Sequence, residues 1–390
     1  MTRAPVTHRE WNDGLRNVHA RDGSQWEFAG ELRMTSTRTK EPDLCPGVPV
    51  LSVILAVKDG ARFLPQAMES LLAQSFREFE LIAINDGSRD ATAVILANFA
   101  ARDPRVIILH NEMPRGLAAS LNRALAQARA PIIARADGDD LYHPDRFALQ
   151  VAYMQRHPEI GVLSCGFRRI DPEGRVINTV LPTTGDDRIR FRMLFMNALL
   201  HPGVMFRAEL VRAAGGYNER YWTAQDSDLW ARLLPHTQMD NLPELLVDYR
   251  VHGASIIKTR GEAGQQLSLS VPARLLGTYL GRELTPADVR PAVELYGGFF
   301  RMNPDAVWRG AAFLDGVRRV AVRREPARVR RAFRKRIARS FVQQAKMAAP
   351  RDRMMLITHA LMWWPGLATM KEIFILLLKR AKMSLQLQRP

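Results

Sequence analysis

The sequence predicts an α/β fold built on a mostly parallel sheet flanked by helices. Three observations carry that prediction. From Val50 to about residue 142, short apolar segments alternate with segments of helical spacing. Pro, Gly, Asn and Asp punctuate the joins. Each notable polar cluster of this region falls directly after a strand: Lys58-Asp59-Gly60, Asn85-Asp86-Gly87-Ser88 and Asp137-Gly138-Asp139-Asp140.

The elements follow in order. PVLSVILAVKDG is a short β-branched run bounded by Pro and Gly, and reads as a buried parallel strand. Residues 62–75 have helical spacing, with Phe63, Ala67, Leu71 and Leu72 on one side. REFELIAINDGS is a second strand running into a polar turn. ATAVILANFAARD is a helix and RVIILHN a third strand. The next helix opens near Gly116, and PIIARADGDD is a fourth strand ending in acids. This β-α repetition is the pattern of a parallel layer covered by helices. The later region is more mixed. Helices are expected over 143–157, 186–197, 208–217 and 226–234, and strands at IGVLSCGFRRID, HPGVMFR and LLVDYRVHG. One or two further helices are expected around 286–315, and Pro326 interrupts or restarts another.

Composition bounds the rest. A chain of 390 residues with 47% apolar content can bury a large core and carry appendages. Cys45 and Cys165 make no disulfide framework and fit a reduced, cytoplasmic protein. Residues 1–48 lack the apolar core of a signal peptide and read as a mobile leader. The formal net charge of +16 is unevenly placed. Residues 318–390 hold 19 Lys and Arg against 3 Asp and Glu, which leaves 37 of each sign in the other 317 residues. The excess therefore sits in a C-terminal tail that is expected to meet something anionic. Its apolar stretch at 354–370 contains Pro365, and the row Ile373–Leu378 follows it. Three readings of 318–390 stand: a peripheral attachment to an anionic membrane surface, a span at 354–370, or a packed or partner-binding helical unit. No nucleic-acid module accompanies the arginines, so nucleic acid is not an expected partner.

The acidic clusters suggest chemistry. In open parallel sheets a ligand crevice lies outside the carboxyl ends of the strands. Asp137, Asp139 and Asp140 place three carboxylates within four residues. They form either a solvated acidic turn or a site for a hard cation such as Mg2+ or Mn2+. Asn85-Asp86-Gly87-Ser88 is either a plain turn or a nucleotide contact. Neither a GxGxxG after the first strand nor a GxxxxGK[ST] is present, which sets aside dinucleotide and P-loop chemistry. Asp226 and Asp228 open a helix. One of them serves as a cap or first-turn acid, and the other is free to act as a base.

Taken together, these segments resemble the family-2 inverting glycosyltransferases of GT-A fold, over roughly residues 50–255. LSVILAVKDG resembles the family's first strand and LIAINDGSRD its nucleotide-contacting strand end, with Asn85 where a second Asp is commoner. NEMPRGLAASLNRALAQA resembles its Asn-x-Gly helix, with Asn111, Gly116 and Asn122 in place. ARADGDDLYHPDRF resembles its metal-binding acidic motif. NALLHPGVMFR and GGYNERYWTAQDSDLWARL resemble its acceptor-side segments, with Gln225 where Glu is commoner.

The resemblance implies a nucleotide-diphosphate sugar, in the first instance UDP-linked, as donor and a lipid-linked or saccharide acceptor. It implies Asp226 as catalytic base, with Asp228 as the alternative. Val57, Asp59, Asp86, Asn122, Asp137 and Gly138 are implied as donor contacts. Asp139 and His252 are implied as ligands of Mg2+ or Mn2+, with His252 equally readable as a strand-end polar residue. Asp140 is assigned only to capping the helix that follows. Arg135 has no role beyond phosphate neutralisation. The family's processive branch carries Gln-x-x-Arg-Trp, which this sequence lacks. The expected organisation is a leader at 1–48 and a transferase domain at 49–317, divided into a nucleotide half 49–142, an acceptor half 143–260 and a helical region 261–317. A basic tail at 318–390 completes it. The expected location is the cytoplasmic face of the inner membrane. Two rival readings are a non-catalytic nucleotide-sugar-binding protein of the same fold and a nucleotidyltransferase.

Overall fold

The computed structural model describes residues 48–252, 261–298 and 302–366, with 369, 370 and 373 beyond. The leader, Cys45 and most of the row Ile373–Leu378 lie outside the described residues.

The first half alternates as its sequence predicts: β1 (Leu51–Val57), α1 (Leu64–Leu72), β2 (Phe79–Asp86), α2 (Thr92–Arg102), β3 (Val106–Asn111), α3 (Leu117–Gln127) and β4 (Ile132–Ala136). The strand order here is β3-β2-β1-β4, all parallel. Alternate side chains go to opposite faces of the sheet. Leu51, Val53, Leu55, Leu81, Ala83 and Ala134 pack on one face; Ile54, Ile82, Ile84 and Ile133 pack on the other. Both faces are buried, which is why the strands read as continuous apolar runs.

The second half continues the same sheet with mixed pairings. Its elements are β5 (Leu141–Tyr142), α4 (Arg146–Arg156), β6 (Ile160–Ile170), β7 (Val176–Val180), α5 (Asp186–Met193), β8 (Met205–Arg207), α6 (Ala208–Ala213), α7 (Gln225–Leu233) and β9 (Gln238–Arg250). A 3-10 turn at His201–Gly203 precedes β8. The sheet runs on as β4-β8-β6-β9-β5, with β7 on β6. Strand β8 is antiparallel to both β4 and β6, whereas β6 and β9 are parallel. Strand β7 is not among the expected strands: VINTV is β-branched, but it is short and four of its five residues are exposed. Strand β9 also begins earlier than its apolar run, at Gln238.

Among the described residues, the helices that follow are α8 (Gly261–Leu280), α9 (Pro286–Gly297), α10 (Pro304–Arg324), α11 (Ala327–Met347) and α12 (Pro350–Trp363). Thr285 and Asp288 form a reciprocal capping box at the start of α9. Pro326 ends one helix and caps the next, as its fixed φ and missing N–H require. This layer has its own core, joined to the sheet region through α5. Phe195 stacks on Tyr296 at 4.3 Å and on Phe333 at 5.9 Å, and Phe191 meets Phe333 edge-on at 5.0 Å. Each such pair adds about 0.5–1.5 kcal/mol beyond its area burial.

This packing changes two expectations. The boundary placed at 317/318 falls inside α10, which runs unbroken to Arg324. The segment after it is no free tail, because Val329, Phe333, Ile337, Phe341 and Ala345 recur at four-residue steps and are buried. The expected span at 354–370 is interrupted where α12 stops at Trp363. No described helix is long and apolar enough to cross a membrane.

Candidate functional site

The carboxyl ends of β1 and β4, the first turn of α7 and the end of β9 open on one cavity of about 740 Å³. Lys58, Asp59, Arg135, Asp137, Asp139, Asn197, Asp226, Tyr249 and His252 all line it.

Asp137 is held by Arg135, whose guanidinium grips both carboxylate oxygens from a position 1% exposed. Burial pushes the Asp137 carboxyl above its usual range, Arg135 opposes that, and the charges of Asp139 and Asp226 push it further up. Gly138 leaves room for close packing: a Cβ there would lie 3.3 Å from Val57 and Leu64 side-chain carbons. Val57 therefore forms the floor beneath the acidic turn. Asp139 is the more open carboxylate, and its Oδ2 lies 2.8 Å from His252 Nε2.

Asp140 departs from its expected role. It caps no helix; α4 begins six residues later, after Asp145. The residue is fully buried, and its Oδ1 accepts the Arg250 backbone N–H at 2.8 Å. Among the described residues its Oδ2 has no hydrogen-bond partner. Burial, then the neighbouring Asp139 and Asp137, hold its carboxyl well above the usual range. Arg250 completes the clasp by donating to the Asp139 carbonyl at 2.8 Å and to Gln66 at 3.0 Å.

One oxygen from each of Asp137, Asp139 and Asp140 lies within 4.8 Å of the others. Hard oxygen donors gathered this closely, one of them buried and unsatisfied, fit a divalent cation such as Mg2+ or Mn2+.

In the same cavity, Asp226 sits half-buried in the first turn of α7. Burial raises its carboxyl, while hydrogen bonds from the Ser227 backbone and the Asn197 amide pull it back. The Asn197 contact is 2.6 Å. Ala224, just before the helix, is held at φ +58°, a region costly for a residue with a Cβ. Asp228 points the other way, because residues two apart on a helix face opposite sides. It is wholly buried and ion-paired to Arg232 at 2.8 Å and Arg274 at 2.9 Å. It makes no cap hydrogen bond. Of the two acids, only Asp226 lines the cavity.

The remaining candidates divide. Asp59 lines the cavity, at φ +50°, and its carboxylate accepts the Arg89 N–H at 2.8 Å. Asp86 is buried behind it. Its oxygens accept from the Asn111 amide at 2.6 Å and from the backbone N–H groups of Arg115 and Gly116 at 2.8 and 2.9 Å. Burial raises its carboxyl, but these donors together leave it below the usual value. Asp86 thus clamps the loop that leads into α3. Asn122 is also engaged away from the cavity, bridging α3 to Tyr217 through both its amide atoms at 2.8 Å.

Sequence reasoning missed Asn197, Tyr249 and Arg250 as participants. Each lies in a segment with a family resemblance or beside one, but its partner is distant in sequence, as Asn197 is from Asp226. His201 is another: buried, bonded to the Tyr217 hydroxyl at 3.0 Å, and kept neutral by burial and by Arg135.

The sequence profile of "Glycosyl transferase family 2" matches residues 52–213. The chain is 33% identical over 214 residues to the O-antigen biosynthesis glycosyltransferase WbnJ of Escherichia coli, a match covering 54% of this chain and 83% of that protein. It is 35% identical over 187 residues to EpsE of Bacillus subtilis, named as a glycosyltransferase, covering 47% of this chain and 66% of EpsE. Among solved structures, S. aureus TarS residues 1–349 in complex with UDP-GlcNAc superposes with a TM-score of 0.51 at 15% identity, covering 80% of this chain and 87% of that one. The chain belongs to glycosyl transferase family 2, a family of transferases, and carries its GT-A fold.

Proposed function

We propose that this protein transfers a hexose or N-acetylhexosamine from a nucleotide-diphosphate sugar, in the first instance UDP-linked, to a hydroxyl of a lipid-linked or polysaccharide acceptor, with inversion. The observation that carries this is the shared cavity: a half-buried carboxylate with raised proton affinity, Asp226, lines it together with Asp137 and Asp139 of an acidic turn whose oxygens are close enough to share a cation. The relatives named for O-antigen synthesis and the UDP-GlcNAc-bound structure support the substrate classes.

In this reading Asp226 accepts the proton of the acceptor hydroxyl as that oxygen bonds to the anomeric carbon and the bond from that carbon to the nucleotide diphosphate breaks, releasing the diphosphate. A raised pKa suits a base that must take a proton near neutral pH. Asn197 holds the carboxylate still by donating to Oδ2. Asp139, His252 and the partnerless oxygen of Asp140 would hold Mg2+ or Mn2+, which when bound offsets charge on the leaving diphosphate. Asp137, fixed by Arg135, orients the sugar, and Asp59 and Lys58 meet the nucleotide at the mouth of β1. Gly138 and Val57 shape the floor. Asp86 and Asn122 act through the loops they fix.

The test uses the full chain against UDP-, GDP- and dTDP-sugars, scoring Mn2+-dependent binding and slow donor hydrolysis. Binding of at least one donor that depends on metal is expected. Failure with every donor, with or without Mn2+, overturns the proposal. Binding without transfer to any acceptor fraction would favour the non-catalytic rival.

A further inference from the structure

The helical layer presents two exposed stripes of different chemistry. On α11, Arg328, Arg331, Lys335, Arg339 and Lys346 recur at helical steps and share one side. Phe333, Ile337 and Phe341 occupy the buried side. Arg328 reaches Asp187 at 2.6 Å, and residues 318–390 carry 19 Lys and Arg against 3 Asp and Glu. On α12, Met354, Thr358 and Met362 stand four apart and exposed, with Met355 beside them. Met354 is 58% exposed and Met362 60%, with Met370 at 52% beyond the helix. Long apolar side chains left in water this way mark an interaction surface.

The stripes meet at Trp364. The guanidinium groups of Arg331 and Arg334 lie 5.3 and 6.0 Å from its ring, and Arg334 donates to the Trp363 carbonyl at 2.9 Å. Tryptophan beside arginine, with flexible apolar neighbours, suits the boundary between headgroups and acyl chains. We propose that this surface seats the protein on an anionic lipid bilayer, with the α11 cations among the headgroups and the α12 methionines and Trp364 just below them. Charge complementarity selects the occupant. A nucleic acid would use the arginines but leave the methionines in water, whereas an anionic bilayer uses both. No described helix is long and apolar enough to cross a membrane, and the contact proposed is one of surface seating. This inference is independent of the reaction proposed above and is read without turnover.

The experiment is co-sedimentation of the full chain with vesicles of phosphatidylcholine alone or mixed with phosphatidylglycerol. Retention by the anionic vesicles and release by high salt are expected. Arg331→Gln, Lys335→Gln and Arg339→Gln should each lower partitioning about five-fold, and the triple variant on the order of a hundred-fold. Met354→Gln with Met362→Gln leaves the charge intact and should lower it by about ten-fold or more. These positions are exposed or half-exposed, and an unchanged thermal melt verifies the fold. Should a variant unfold, brominated lipid decides on the wild type: quenching of tryptophan fluorescence is expected, and its absence overturns the proposal. Equal binding to neutral and anionic vesicles also overturns it, as does unchanged binding by the methionine variant. So does capture by RNA with none by vesicles.

Discussion

The sheet region and the helical layer treat charge in opposite ways. In the sheet region, Arg135, Asp140, Arg146, Asp228 and Arg250 are at most 2% exposed. In the helical layer the large fully buried side chains are Phe333 and Phe341; Arg336 and Arg353 donate inward to backbone carbonyls, and the cations on the outer side of α11 are exposed or half-exposed. Burying a charge is costly unless partners compensate. The sheet region offsets that cost by pairing the charges it buries, as Asp228 pairs with Arg232 and Arg274; the helical layer keeps most of its charge at the surface. The first region predicts sensitivity in chemistry, and the second predicts sensitivity in attachment.

The sharpest break of this contrast is Asp226→Asn. Transfer should fall by about 10²–10⁴-fold while donor binding, followed by calorimetry, is retained. Survival of transfer would move the base elsewhere. His252→Ala should weaken Mn2+ affinity by about 10–100-fold, read by metal titration, since it removes a group 2.8 Å from Asp139.

Asp228→Asn should behave unlike Asp226→Asn. It strands Arg232 and Arg274, which are partly exposed, so a stability loss on the order of 2 kcal/mol is expected in denaturant melts, with chemistry spared in the folded fraction. Asn197→Ala is subtler. The Asn197 donor lowers a carboxyl that burial has raised, so removing it should raise Asp226 further. The acidic limb of the kcat/KM profile then moves to higher pH, and activity at pH 6 drops several-fold more than at pH 8. A uniform drop across pH would mean that Asn197 only supports the fold. The smallest effect belongs to Asp140→Asn without metal. Its folded-state carboxyl lies above the unfolded value, so the wild type loses stability as pH rises from the unfolded pKa through the folded one. The variant should therefore melt above the wild type at pH 8, and the gap should close near pH 3.

Much of the fold was legible because its strands are buried on both faces. The runs at 51–57, 79–86 and 132–136 declare themselves by apolar content alone. Strand β7, short and exposed along most of its length, is not among the expected strands. The packed reading of 318–390 rests on the four-residue spacing of Val329, Phe333, Ile337 and Phe341, which the high charge density of the segment overlies. The site was legible as motifs after strands, and the resemblance singled out Asp226 over Asp228. The geometry that separates them is a helix turning about 100° per residue, which sends positions two apart to opposite sides.

By itself the sequence determined the alternating first half, the positions of the acidic turns and the uneven charge. Those properties depend on residue type and local period. Only the tertiary structure decided that Asp140 faces Arg250 across 110 residues, that Asn197 steadies Asp226, that Asp86 and Asn122 serve the loops, and that residues 318–363 pack rather than trail. Such roles depend on which side chains meet after the chain has folded, and contact between distant segments leaves no local pattern to read.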